Sequence, residues 1–162
     1  MKFNLIDRIE ELSDNRLVAV KNVSLAEEYL GDHFPTFPVL PGVLMLEALT
    51  QAAGWLLHRA SGFAKSIAVL KEARNVKYGT FVAPGNALRI EVETVKLTET
   101  GGTFKASATV NGQTAVSARL EMAYFNLTQR QPGIDEAVDR RLIEHHRARF
   151  ALLGQPAGAV LT

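Results

Sequence analysis

The sequence predicts an α+β domain in which an antiparallel β-sheet curls around one long, buried α-helix. Three observations predict it. Residues 43–60 read Val-Leu-Met-Leu-Glu-Ala-Leu-Thr-Gln-Ala-Ala-Gly-Trp-Leu-Leu-His-Arg-Ala, with Glu47 the one formal charge before Arg59. A helix apolar on every face has to be covered on every face. Further on, runs of alternating apolar and polar residues recur with turn signals between them, the pattern of a meander. Finally, 162 residues without a single Cys must be held by one ordinary core and no disulfide. A sheet wrapped around the helix satisfies all three.

The elements follow in order. Residues 5–12 are short and mixed, and their pattern selects neither helix nor strand. Residues 16–23 alternate Leu17, Ala19 and Lys21 against Val18, Val20 and Asn22, a strand. Ser24 is placed to cap a short helical turn carrying Glu27 and Glu28. Pro35, Pro38 and Pro41 then make residues 31–41 a stiff extended loop, which holds His33. Pro41 suits the first position of the long helix, where its missing donor costs nothing. Residues 66–70 and 75–78 form one strand interrupted by Lys71-Glu-Ala-Arg. Leu88, Ile90 and Val92 alternate with Arg89, Glu91 and Glu93 in the next. Gly101-Gly102 reads as a turn. Phe104, Ala106, Ala108 and Val110 line one face of a strand that ends at Asn111-Gly112, a type I′ hairpin signal. Val116, Ala118, Leu120, Met122 and Tyr124 line the returning strand. Beyond residue 126 the character changes: a linker at 129–133, then an amphipathic helix at 134–153 with Ile134, Val138 and Leu142 on its apolar side, then a loose tail from Gly154. The expected organisation is a domain over 1–126 and an extension over 127–162.

Charge and composition exclude several functions. Lys plus Arg (18) and Asp plus Glu (17) leave a net charge of +1, no field for nucleic acid. Four scattered His predict no assembled zinc site. The N-terminus carries charges where a signal peptide would be apolar. Pro38, Pro41 and Glu47 interrupt the longest apolar stretch, so no membrane span is expected and a cytoplasmic location follows by default.

Two residues stand out chemically. Glu47 is a carboxylate on an apolar helix, which is costly unless it is paired or useful; Thr50 and Gln51, one turn on, are its candidate partners. His33 sits in the stiff loop that feeds this helix. Between them the free N–H groups of the helix start, at Gly42 and Val43, offer a site for a partly negative oxygen. A base, an acid and an oxyanion site suit removal of a proton beside a carbonyl with loss of a hydroxyl, and equally suit thioester hydrolysis; spacing alone leaves both open. His58 falls near the helix end, where positive charge is favourable. His145 and His146 are expected at the surface, and Trp55 in the core or a tunnel wall.

The segment Gly31-Asp-His-Phe-Pro-Thr-Phe-Pro-Val-Leu-Pro-Gly-Val-Leu-Met-Leu-Glu-Ala-Leu-Thr-Gln-Ala-Ala-Gly resembles the signature of the FabA/FabZ family of 3-hydroxyacyl-[acyl-carrier-protein] dehydratases, which have a hotdog fold. Phe81-Val-Ala-Pro-Gly-Asn before Leu88-Arg-Ile-Glu-Val is similar to the family's second motif. The resemblance covers residues 3–126, and Glu47 in place of aspartate matches the FabZ branch. It implies dehydration of a (3R)-hydroxyacyl chain on the phosphopantetheine arm of an acyl carrier protein, with no metal or redox cofactor. It implies catalysis by His33 and Glu47, an oxyanion donor at the Gly42 backbone, and a Val39 carbonyl that orients His33. It also implies a homodimer with each site shared between protomers, further assembled as a trimer of dimers, and an acyl tunnel to which Phe34, Val43, Trp55, Tyr78 and Phe81 are assigned. Lys71, Arg74 and Lys77 form a basic cluster read either as a solvated strand edge or as a docking patch for an acidic carrier. Asp32 and Thr36 stand where the family has glycine, which bears on substrate range and tunnel shape. A thioesterase of the same fold and a non-catalytic hotdog subunit are the alternatives.

Overall fold

The computed structural model describes residues 3–154. In chain order its elements are β1 (Arg8–Leu12), β2 (Arg16–Asn22), a 3-10 turn (Glu28–Gly31), α1 (Gly42–Ala60), β3 (Ile67–Tyr78), β4 (Ala87–Thr98), β5 (Gly101–Val110), β6 (Gln113–Phe125), a second 3-10 turn (Leu127–Gln129) and α2 (Glu136–Leu153). The six strands form one antiparallel sheet in the order β1-β2-β4-β5-β6-β3, and α1 packs across β2 to β6. This is the α+β arrangement that the pattern of one apolar helix and a meander predicts, and the hotdog fold that the resemblance implies.

The core lies between α1 and the inner face of the sheet. Ala48, Leu49, Ala52, Ala53 and Leu56 of α1 are buried against Leu88, Ile90 and Val92 of β4, Phe104 and Ala106 of β5, and Val116, Leu120 and Met122 of β6. Three small alanines of the helix and fully buried Phe104 of β5 belong to this one cluster. Truncating such a residue costs about 3–5 kcal/mol.

Several local expectations are corrected. The mixed segment at residues 5–12 contributes β1, because β2 offers it a partner: Arg8 faces Val20 and Leu12 faces Leu17. Ser24 does not cap the first 3-10 turn; Glu27 holds the cap position, and the Ser24 hydroxyl accepts from the Ala26 amide instead. Pro41 is the N-cap of α1, one residue before the first helical position. Strand β3 runs unbroken through 71–74 and absorbs the irregularity as two register shifts against β6. Gly101-Gly102 opens β5 rather than making the turn: a Cβ on Gly101 would lie 2.0 Å from the Met122 carbonyl oxygen. Asn111 and Gly112 do turn with positive φ, as the hairpin signal requires. The helix α1 is not covered all round. The sheet wraps one side, and Val43 is 69% exposed, with Leu44, Leu46, Glu47 and Gln51 only half-buried.

Helix α2 starts with the Asp135 side chain accepting from the Ala137 amide. Val138 and Leu142 of the predicted stripe are half-buried on its docking side, and Ile134 lies before the helix begins. Asp139 is buried and accepts from the Ser66 and Thr128 hydroxyls and the Leu127 and Thr128 amides. His146 donates Nε2–H to the Ser66 carbonyl at 3.0 Å, and Phe150 and Leu153 join the core. Polar anchors hold this helix in place, which apolar periodicity does not register. The tail expected to be loose beyond Gly154 lies outside the described residues. Among the described residues, no helix is long and apolar enough to cross a membrane.

Candidate active site

The loop at residues 31–41 is pinned at both ends. The His33 amide donates to the Tyr29 carbonyl, the Val39 amide returns to the His33 carbonyl, and the Leu40 amide donates to Val82. The chain is therefore tied into a closed loop, more folded than the extended one the prolines predict. His33 Nδ1 lies 3.0 Å from the Val39 carbonyl oxygen, and its ring stacks on Phe34 with centroids 4.1 Å apart. A carbonyl only accepts, so Nδ1 carries the proton and Nε2 keeps a free lone pair. The half-buried ring is thereby held as a base.

The start of α1 lies beside this loop. Leu44 and Met45 amides reach the Pro41 carbonyl, whereas the Gly42 and Val43 amides have no partner among the described residues. Two donors at the positive end of a 19-residue helix are a place for developing negative charge on oxygen. Tyr78 lies flat over Gly42: a Cβ there would meet the ring at 3.1 Å. Gly42 is needed for this close approach. Phe37 and Phe81 pack edge to face at 5.6 Å. Together Phe34, Phe37, Val43, Tyr78 and Phe81, each at least half exposed, form an apolar patch around the His33 loop and the helix start.

Glu47 is one and a half turns into α1. Its Oε1 accepts from Gln51 Nε2 at 3.0 Å. Gln51 is itself fixed by the N-terminal segment: its Oε1 accepts from the Leu5 amide at 2.9 Å and its Nε2 also donates to the Phe3 carbonyl. Gln51 is thus the partner, while Thr50 turns its hydroxyl back to the Leu46 carbonyl. Glu47 opens onto a cavity of about 270 Å³ that Gln51, Trp55, His58, His146 and Arg149 also line. His33 is not part of it, and no hydrogen bond joins His33 to Glu47 within one chain. The predicted tunnel residues divide accordingly. Phe34, Val43, Tyr78 and Phe81 gather near His33, and Trp55 lies in the Glu47 cavity.

The far end of that cavity corrects two readings. His58 is not a charged helix-end residue; it is buried, and burial first and then the neighbouring His146 bring its pKa down to about 4. His146 is not a plain surface residue. Its ring lies 4.8 Å from His58 and 6.0 Å from Trp55, and burial lowers its pKa as well. His145 is exposed. Arg149 carried no signal in the sequence reading; the spacing of His146, Phe150 and Leu153, one face of α2, is what places it. Lys71 and Arg74 lie on the sheet-edge strand β3 and pair with Glu121 and Glu72 at 2.6 Å each. Lys77 is exposed and forms no ion pair among the described residues.

A family model described as the FabA-like domain matches residues 1–119. The chain is 40% identical over 121 residues to a 3-hydroxyacyl-[acyl-carrier-protein] dehydratase FabZ of Clostridium perfringens (strain SM101 / Type A), covering 75% of this chain and 87% of the relative. It is 34% identical over 135 residues to the protein of the same name from Solibacter usitatus, covering 83% of each. Among solved structures it is similar to the dehydratase heterocomplex ApeI:P from Xenorhabdus doucetiae, with TM-score 0.64 and 23% identity over 78% of this chain and 86% of the other. A hypothetical thioesterase from Streptococcus pneumoniae with coenzyme A aligns at TM-score 0.58 and 16% identity over 74% of this chain and 85% of the other. At these identities the structural matches establish the hotdog fold.

Proposed function

Because the chain belongs to the FabA-like family, we propose that it dehydrates (3R)-3-hydroxyacyl groups on acyl carrier protein to trans-2-enoyl thioesters, in fatty acid or related lipid biosynthesis. The observation that carries this reading is the His33 ring, held by the Val39 carbonyl with Nε2 free, next to a helix start with two unpaired amides. The thioester carbonyl oxygen binds the Gly42 and Val43 amides, which acidifies the adjacent C–H. His33 Nε2 removes that proton from C2. Glu47, oriented by Gln51, is the proton donor to the hydroxyl on C3. The C3–O bond breaks, the C2–C3 double bond forms and water leaves. This chemistry calls on no metal or redox group.

The two side chains share no cavity within one chain, so the working site pairs His33 of one protomer with Glu47 of a second. The half-exposed side of α1 and the apolar patch around the His33 loop support this homodimer; a trimer of dimers extends it. The catalytic core is assigned to residues 1–126 and a C-terminal extension to 127–162, whose described helix α2 packs on Trp55. For carrier docking, Lys77 is the cation of its cluster left without a carboxylate, and it extends the patch toward an acidic partner.

Hydration of an enoyl thioester, the reverse reaction, gives a direct test through loss of enoyl absorbance. His33→Ala and Glu47→Gln are each expected to lower kcat by about a hundredfold or more with the fold intact. Undiminished turnover in either variant, or release of free thiol from a saturated acyl thioester in place of enoyl hydration, would overturn the reading.

A further inference from the structure

The cavity that opens at Glu47 does not continue as an open groove along α1. Its wall follows one stripe of the helix, from Glu47 through Gln51 and Trp55 to His58, and there α2 crosses it. Trp55 packs on His146 and on Phe150, with centroids 6.0 and 5.8 Å apart. At a rise of 1.5 Å per residue, Trp55 lies about 12 Å along the helix from Glu47. The cavity is therefore finite and its floor comes from residues outside the family match.

Its charges are distributed unevenly. Glu47 is the one carboxylate lining it, at one end. Arg149 and His145 reach it from α2, at the level of Trp55 and His58. Arg149 is half-buried and makes no ion pair or hydrogen bond among the described residues. A guanidinium without a carboxylate, at the α2 end of a slot that begins at Glu47, fits an anionic oxygen pair in bidentate geometry.

We propose that this cavity receives the distal end of the acyl group and, through Arg149, selects chains that end in a carboxylate over alkyl chains of the same length. The inference rests on the dehydratase reading for the identity of the ligand, but its test does not need turnover. Trp55 is the chain's single tryptophan and lines the cavity, so its emission reports occupancy directly. Saturated dodecanoyl-, dodecanedioyl- and palmitoyl-pantetheine are titrated against the full chain, because nine bonds beyond C3 match the span of about 12 Å to Trp55. The expected result is a shift in Trp55 emission, with dodecanedioyl bound about tenfold more tightly than dodecanoyl and palmitoyl gaining nothing over dodecanoyl. Arg149→Leu abolishes the tenfold preference and leaves dodecanoyl binding unchanged. A silent Trp55, equal affinity for dodecanedioyl and dodecanoyl, or a preference that survives Arg149→Leu would each overturn the proposal. Enoyl hydration measured in parallel separates the two readings. Hydration without a Trp55 response defeats the cavity proposal alone, and a Trp55 response without hydration defeats the dehydratase reading alone.

Discussion

The Tyr124 hydroxyl accepts from the Ser61 hydroxyl at 2.8 Å and from the Lys65 amide at 3.0 Å, so its own proton points to His58 Nδ1 at 3.3 Å. His58 is thereby an acceptor at Nδ1 and neutral, with its pKa brought down by burial from 6.5 to about 4. The unfolded chain binds a proton at this position below pH 6.5, and the folded one only near pH 4. Stability is full above pH 6.5 and falls as pH drops through that window, by up to about 3 kcal/mol. Thermal unfolding at pH 7.5 and pH 5 is expected to show a marked loss of Tm, and His58→Gln to flatten the dependence. His33 carries the opposite arrangement, with Nδ1 donating to Val39 and Nε2 free. Glu47 and His33 were legible in the sequence because a lone acid in an apolar run and a His in a proline-stiffened loop are each unusual. The state of His58 was not, since its burial depends on Phe63, Tyr124 and His146, all remote from it or on other elements.

At the level of elements, α1 and α2 were read with different success. The apolar run of α1 marks a helix whatever surrounds it. The docking face of α2 is set by Asp139, whose four hydrogen bonds come from Ser66, Leu127 and Thr128. Burial works to raise the Asp139 pKa, but these donors outweigh it and bring it down from 3.8 to about 2. Its contribution is complete above pH 3.8 and is lost as pH falls toward 2. Asp139→Ala strands the Leu127 and Thr128 amides and is expected to cost about 3 kcal/mol at pH 7. Chemical denaturation measures that loss, and Trp55 emission, moving to longer wavelength as α2 lifts away, shows which element left. The amphipathic pattern announced the helix and its docking side, with half-buried Leu142 one turn before His146, but it passed over Asp139, because a buried carboxylate held by four donors is not an apolar signal.

The whole molecule carries its two candidate catalytic groups apart from one another, His33 beside an exposed apolar patch and Glu47 in a cavity that His33 does not line. If two copies complete each site, mixing inactive His33→Ala and Glu47→Gln proteins restores activity. With free subunit exchange, half the dimers are mixed and each has one working site, so about a quarter of wild-type turnover should return. Exchange proven by mass spectrometry without recovery would refute the shared site. By itself, the sequence determined the fold class, the apolar helix α1, the hairpin at Asn111-Gly112 and the two residues proposed for acid–base chemistry, because periodicity, turn residues and a misplaced charge are local signals. Only the tertiary structure decided that β1 is a strand, that Gln51 rather than Thr50 holds Glu47, that α1 keeps an uncovered side, and that α2 closes the Glu47 cavity. Each of those depends on which distant backbone or side-chain group arrives as a partner, and hydrogen bonds across 46 or 80 residues of chain leave no local pattern.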